Sequence, residues 1–275
     1  MRLKNYFKNL IIFFPIIFSG EILNFGPIIF INLFIVTISF SLLTSVIYII
    51  NDYFDQEDDS LHPIKKYRPL ASKKLSNRNV FFLYLIIFII EILLYINFEI
   101  LKQFRLLFFI YFINNIFYNL VFKKVNSTVA SLSISFGFYL RLIIGSEFSE
   151  FDLSFTLSSL VFLSSFLTSY LKKINDNSLR DLKKTKFLSQ KVFIVIALII
   201  ILIYIIHLYS YNLLEFQFLI VLNLVIYLFC IFKVYNFFIV HTGPKDPIDL
   251  IGFNIESILF IFWLITYFEI RFLIF

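Results

Sequence analysis

Cysteine is all but absent from this chain of 275 residues. The single one, Cys230, lies inside an apolar run, so no disulfide framework is available, and it reads as a small residue packed against helix or lipid. Charge is scarce too. Asp, Glu, Lys and Arg make up 15% of the chain, against about 25% in an average soluble domain, which excludes a soluble globular protein. Glycine and proline number six each, while Phe, Ile, Leu, Asn and Lys are in excess. That bias is the mark of an AT-rich genome, so little is read into any individual Phe. His207 and His241 have no partner at metal-ligand spacing, which argues against a zinc site. No phosphate-binding glycine loop, nucleophile elbow or Cys pair occurs, and neither does a repeat or a low-complexity linker. The first apolar run contains Pro15 and lacks a small-residue cleavage site, so no cleavable signal peptide is expected. No nucleic-acid partner is expected either.

What is present is apolar. Hydrophobic residues make up 60% of the chain, 40 of them Phe. Hydropathy marks nine candidate spans, at 10–25, 27–50, 79–97, 104–122, 128–146, 153–172, 190–210, 214–236 and 254–275. The expected fold is therefore all-α: a polytopic membrane protein, one helical bundle over residues 1–275, with the first two spans in a tight hairpin at Gly26. With nine spans, nearly every Lys and Arg falls on the side of the N-terminus and the even-numbered loops. The exceptions are Lys102, Arg105, Arg271 and the intramembrane Arg141. The positive-inside rule puts that basic side in the cytoplasm, as expected of a multi-pass protein of the cell (inner) membrane surrounded by lipid. Lys183, Lys184 and Lys186 read as a basic patch at the lipid surface.

Directly after the second span comes Asn51-Asp52-Tyr53-Phe54-Asp55-Gln56-Glu57-Asp58-Asp59, preceded by a membrane-length segment without a charged side chain. Carboxylates at the mouth of a membrane helix are costly unless solvated or neutralised by a cation. If the helix runs on at about 100° per residue from Asn51, then Asp58, Asp55, Asp59 and Asp52 fall at about −20°, 40°, 80° and 100°. One face thus carries oxygen ligands suited to a hard divalent cation such as Mg²⁺, which in turn holds phosphate oxygens, and the angle alone does not separate Asp58 from Asp59. Lys65, Lys66 and Arg68 follow closely and would face the phosphate oxygens the metal leaves free. Arg141 is the one Arg inside an apolar span, with Gly137 and Gly145 four residues to either side on its own face. It is either a phosphate contact or half of an internal ion pair that staples the bundle.

In this order of residues the chain resembles the UbiA-type intramembrane prenyltransferase superfamily. That superfamily has nine helices and an Asn-Asp-x-x-Asp-x-x-x-Asp motif after the second, followed by Pro-x-Lys-x-x-Arg-Pro. Asn51, Asp52, Asp55, Asp59, Pro63, Lys65, Arg68 and Pro69 match every position, and the family register selects Asp59 over Asp58. Quinone and haem prenyltransferases usually carry a second Asp-x-x-x-Asp after the sixth helix. The corresponding loop here contains Lys172, Lys173 and Asp176, which is similar to the Lys-Arg-x-x-Glu of the decaprenyl-phosphate phosphoribosyltransferase branch, with Lys for Arg and Asp for Glu. The opening from Arg2 to Asn9, His62 before Pro63, and Tyr118 to Lys123 also resemble that branch. Residues 182–275 add only the weakly similar Asp246-Pro247-Ile248-Asp249.

The resemblance implies a catalytic set of Asn51, Asp52, Asp55 and Asp59, with Asn51, Asp55 and Asp59 holding Mg²⁺. Lys65 and Arg68 would grip donor phosphates, and Lys8, Lys172 and Lys173 the remaining ones. Tyr118, Lys123, Arg141 and Asp176 would complete the substrate site. The implied reaction moves a 5-phosphoribosyl group from phosphoribosyl diphosphate to a polyprenyl phosphate, releasing diphosphate on the cytoplasmic side and feeding cell-envelope glycan synthesis. The alternatives are prenyl transfer to an aromatic or glycerol-type acceptor, and an ion or lipid transporter.

Overall fold

A computed structural model describes residues 3–19, 24–61, 65–148, 153–177, 182–209, 217–237 and 267. Every regular element among them is helical, so the all-α expectation holds for the described residues. The chain opens with a 3₁₀ helix, Leu3–Phe13, that passes into α1 (Phe14–Phe18). It continues through α2 (Pro27–Phe54), α3 (Gln56–Leu61), a 3₁₀ turn at Lys65–Tyr67, α4 (Asn77–Asn97) and α5 (Leu101–Phe117). A π-helical turn at Tyr118–Phe122 leads into the short α6 (Lys123–Val125). Then come α7 (Ser127–Ser146), α8 (Phe155–Asn177), α9 (Leu182–Tyr209) and α10 (Gln217–Tyr235).

Local sequence sets the starts of these helices. Pro27 sits at the first position of α2 behind Gly26, where its missing N–H costs nothing. The Ser76 hydroxyl accepts from the Asn79 amide to cap α4, and the Asn126 side chain accepts from Val129 at 2.8 Å to cap α7. Among the described residues, six helices are long and apolar enough to cross a membrane: Pro27–Phe54, Arg78–Asn97, Leu101–Val125, Ser127–Ser146, Gln190–Leu208 and Phe218–Tyr235. These correspond to the second to fifth, seventh and eighth expected spans. The sixth is the long helix α8, whose inner turns are rich in Ser and Thr. The ninth lies outside the described residues except for Tyr267, as do residues 20–23 of the hairpin expected at Gly26.

The first span departs from its expected bounds. Helical structure begins at Leu3 and ends at Phe18, well before the expected 10–25. Its polar residues find partners inside the bundle: Tyr6 shares a 2.5 Å hydrogen bond with Ser45, and the Asn9 amide donates to Ser41 at 2.9 Å. Asn9 and Ile12, three residues apart in the 3₁₀ segment, are buried, and Pro15, Ile16 and Phe18 continue the buried face into α1.

α7 is the centre of the bundle. It packs against α8, α5, α1 and the N-terminal 3₁₀ helix, while α2 contacts that same helix, α4 and α5. Ser131, Ser133, Ser135, Gly137 and Gly145 are buried along α7, and these small side chains let neighbouring helices approach closely. The main core joins Ile12 and Ile16 to Val36 and Phe40 of α2, Phe104 and Phe108 of α5, and Leu140 and Ile144 of α7. In contrast, α4 exposes Phe81, Phe82, Ile86, Phe88, Leu93 and Ile96 and buries only Ile87 among its apolar residues. An apolar face of that size is a lipid-facing surface. The protein is a multi-pass membrane protein.

Candidate functional site

The acids after α2 are arranged by a break in the helix. α2 stops at Phe54, and Asp55 leaves helical geometry with φ −93 and ψ 4 before α3 begins at Gln56. The i→i+4 hydrogen bonds nonetheless run through the break. Asp55 N–H donates to Asn51 O at 3.0 Å, and Asp59 N–H donates to Asp55 O at 2.8 Å. Asn51, Asp55 and Asp59 therefore line up one turn apart. Asp59 is 4% exposed, whereas Asp58 and Glu57 face outward.

Two basic residues from distant elements meet this line. Arg68 is delivered by the segment after the Lys65–Tyr67 turn, which is anchored by buried Leu70 and closed by Ser72 N–H on Arg68 O at 2.8 Å. Its Nη1 lies 2.5 Å from Asp59 Oδ2 and 3.6 Å from Asp52 Oδ1. Lys123 forms an ion pair with Asp55 Oδ1. It follows the π-helical turn at Tyr118–Phe122, and its own amide reaches back to Tyr118 O. A π-turn inserted in an α-helix often marks a functional site.

Beside the acids, a cavity of about 190 Å³ opens between the N-terminal helix, α2, α5, α7 and α8. Among the described residues, three cations line it, Lys8, Lys172 and Arg141, together with Asn51, Asn114, Asn115, Asn119, Tyr48, Tyr111, Tyr118, Ser133 and a few apolar side chains. Lys173 stands over the Tyr118 ring, its ammonium 5.0 Å from the centroid. Arg141 is 4% exposed. It donates to Asn9 Oδ1 at 3.0 Å, Gly137 O at 2.7 Å and Tyr111 OH at 2.8 Å. The rings of Tyr111, Phe40 and Phe138 surround its guanidinium at 4.9, 5.1 and 5.2 Å. No carboxylate among the described residues pairs with it. The internal ion pair weighed as one reading of Arg141 is therefore not seen. Neutral acceptors and π-faces hold a buried positive charge at the cavity wall, where an anion would find it.

The structure thus brings Asn51, Asp52, Asp55, Asp59, Arg68, Lys8, Tyr118, Lys123, Arg141, Lys172 and Lys173 together, around the cavity and the acids beside it. The side chains of Lys65 and Asp176 lie outside the described residues, as do His62 and Pro63. Among the described residues no three His, Cys, Asp or Glu side chains converge to hold a metal ion, and Asp59 and Asp55 pair with Arg68 and Lys123 instead. The donor set still suits a hard divalent cation. Asn51 Oδ1 is buried without a hydrogen-bond partner one turn from Asp55, an oxygen that a cation would satisfy.

Sequence reading passed over the amides of α5 and of the π-helical turn that follows it. Asn114, Asn115 and Asn119 stand in an otherwise apolar span, and amides there are costly enough to signal a site. It took Asn9 only as part of the N-terminal opening, not as a partner of Arg141. It also passed over Tyr111, the other side chain that orients Arg141, and Glu91, whose carboxylate accepts from Ser39 at 2.8 Å and links α4 to α2 away from the cavity.

The sequence model of the UbiA prenyltransferase family matches residues 12–258. Nodulation protein NoeC of Azorhizobium caulinodans is 36% identical over 77 residues, which is 27% of this chain and 24% of NoeC. The chain is thus matched over about a quarter of that relative's length.

Proposed function

We propose, from the premise that this chain belongs to the UbiA prenyltransferase family, that it transfers a phosphoribosyl group from phosphoribosyl diphosphate to a polyprenyl phosphate. Members of the family are transferases acting on polyprenyl substrates in the membrane; the choice of donor is our inference. The observation that carries it is the character of the cavity. Its wall presents Lys8, Lys172 and Arg141 among amides and hydroxyls, and no described acid lines it. A phosphoribosyl donor brings three phosphates and a lipid phosphate adds a fourth, which calls for many cations. A prenyl diphosphate and an aromatic acceptor call for fewer cations and a more apolar wall. The absence of a second Asp-x-x-x-Asp from the sequence favours the same choice.

In this reading Asn51, Asp55 and Asp59 would hold Mg²⁺, which when bound neutralises the departing diphosphate. Arg68 and Lys65 grip the donor phosphates, with Arg68 itself oriented by Asp59 and Asp52. Lys123, steadied by Asp55, adds positive charge beside the leaving group. The bond from the anomeric carbon to the diphosphate oxygen breaks with its electron pair leaving on diphosphate, and an oxygen of the polyprenyl phosphate forms the new bond. That oxygen is already ionised at neutral pH, so no general base is required. Arg141, Lys8, Lys172 and Lys173 hold the remaining phosphates, and Asp176 stands in for the family Glu. The bundle has nine spans, with the N-terminus and the site on the cytoplasmic side of the cell membrane. In support, Asn51, Tyr118, Lys172 and Lys173 stand at or just past the C-terminal ends of α2, α5 and α8, which nine spans put on one face. A transporter would carry its site near the midplane.

The test is a transfer assay with the purified full chain in lipid vesicles, labelled phosphoribosyl diphosphate and polyprenyl phosphate. Label entering the lipid phase only with Mg²⁺ supports the reading. No labelled lipid, with prenyl diphosphate consumed instead, rejects it.

A further inference from the structure

Asn119 is 3% exposed, lines the cavity, and its Oδ1 has no hydrogen-bond partner among the described residues. The amides beside it are engaged. Asn114 and Ser133 satisfy each other at 3.0 Å through side chain and backbone, and Asn115 Nδ2 donates to Tyr111 O at 2.8 Å. Asn119 also lies within the π-helical turn, a local widening of the helix that is frequent at functional sites. A buried amide oxygen accepts and never donates, so its partner must bring a proton or a cation. Ionised phosphates bring only acceptors and an isoprenyl chain brings neither. The line of acids with Asn51 already accounts for a cation. A hydroxyl remains.

We propose that Asn119 is a specificity-determining residue whose Oδ1 accepts a hydrogen bond from a ring hydroxyl of a pentosyl donor. The assignment rests on the phosphoribosyl reading and names the part of that donor the residue recognises. A site built to bond a hydroxyl rejects the analogue that lacks it, because its own polar group is then left buried and unpaired. Phosphoribosyl diphosphate should therefore be preferred over its 2-deoxy or its 3-deoxy analogue, and Asn119 should be the source of that preference.

The experiment compares kcat/KM for phosphoribosyl diphosphate and the two deoxy analogues in the wild-type protein, Asn119→Leu and Asn119→Ser. Binding of inorganic diphosphate with Mg²⁺, measured by calorimetry, reports whether the rest of the site is intact. The wild type should disfavour at least one deoxy donor by about tenfold or more. Asn119→Leu should bring that ratio close to one with diphosphate binding unchanged, and Asn119→Ser, which keeps an acceptor, should retain part of the preference. If the wild type uses all three donors equally, if Asn119→Leu keeps the full preference, or if it loses diphosphate binding as well, the role assigned to Asn119 is wrong while the donor reading stands. A wild-type protein that forms no pentosyl lipid and consumes prenyl diphosphate overturns both.

Discussion

Asp58 and Asp59 are adjacent acids with different surroundings, and their separation shows what one residue of register does at a helix end. Asp59 is buried against Arg68, while Asp58 points to solvent. Replacing Asp59 with Ala would leave Arg68 without its closest partner and remove one of the proposed cation ligands. Transfer should fall by at least about a hundredfold, the scale on which preorganised charge acts in catalysis. Asp58→Ala should stay within a factor of two in the same assay. Arg141 invites a second substitution. Its three hydrogen bonds and three aromatic neighbours match a flat, forked guanidinium, which Lys does not reproduce. Arg141→Lys keeps the charge, so the protein should fold, and KM for the anionic substrate should rise about tenfold or more in steady-state kinetics as the fork is lost. The acidic motif was legible in the sequence because its spacing is long and specific. The surroundings of Arg141 were not, because Asn9 and Tyr111 reach it from other elements and nothing in their own neighbourhoods points to it.

The spans themselves were legible where charge marks an apolar run's limits, as at residues 79–97 between Arg78 and Glu99 and at the acidic end of 27–50. They were less so where a helix carries polar groups that the bundle satisfies. The N-terminal helix is the clear case, since window hydropathy penalises Asn9 without knowing that Ser41 and Thr44 receive it. That helix is held against α7 at Gly145, where a Cβ would overlap the Ile12 carbonyl and come within 3.0 Å of Pro15 Cδ. Gly145→Ala should destabilise the protein by about 1–3 kcal/mol through overpacking, seen as a lower melting temperature in detergent. It should also weaken substrate binding, because Lys8 sits on the displaced element. Gly137→Ala meets only the edge of the Tyr111 ring at 3.1 Å and should cost less. A Gly145→Ala protein as stable as the parent would mean that the two helices are not held together at this point.

Across the whole molecule, the distribution of Lys and Arg sets the orientation, and orientation decides which solutes reach the cavity. In a background with Cys230 replaced by Ala, a cysteine at Glu99 should react with a membrane-impermeant maleimide added to intact cells. A cysteine at Lys74 should react only after permeabilisation. The reverse pattern would put the site on the outer face, away from a cytoplasmic sugar diphosphate. The family was legible from one loop, whereas the choice of donor rests on the cavity, whose walls come from five separate helices and converge only in three dimensions. That choice is tested most directly by measuring diphosphate release from each donor in parallel, using the same purified protein, Mg²⁺ and acceptor lipids. Release from phosphoribosyl diphosphate that depends on polyprenyl phosphate, with none from prenyl diphosphate and an aromatic acceptor, is the predicted result. Release from prenyl diphosphate alone would contradict it.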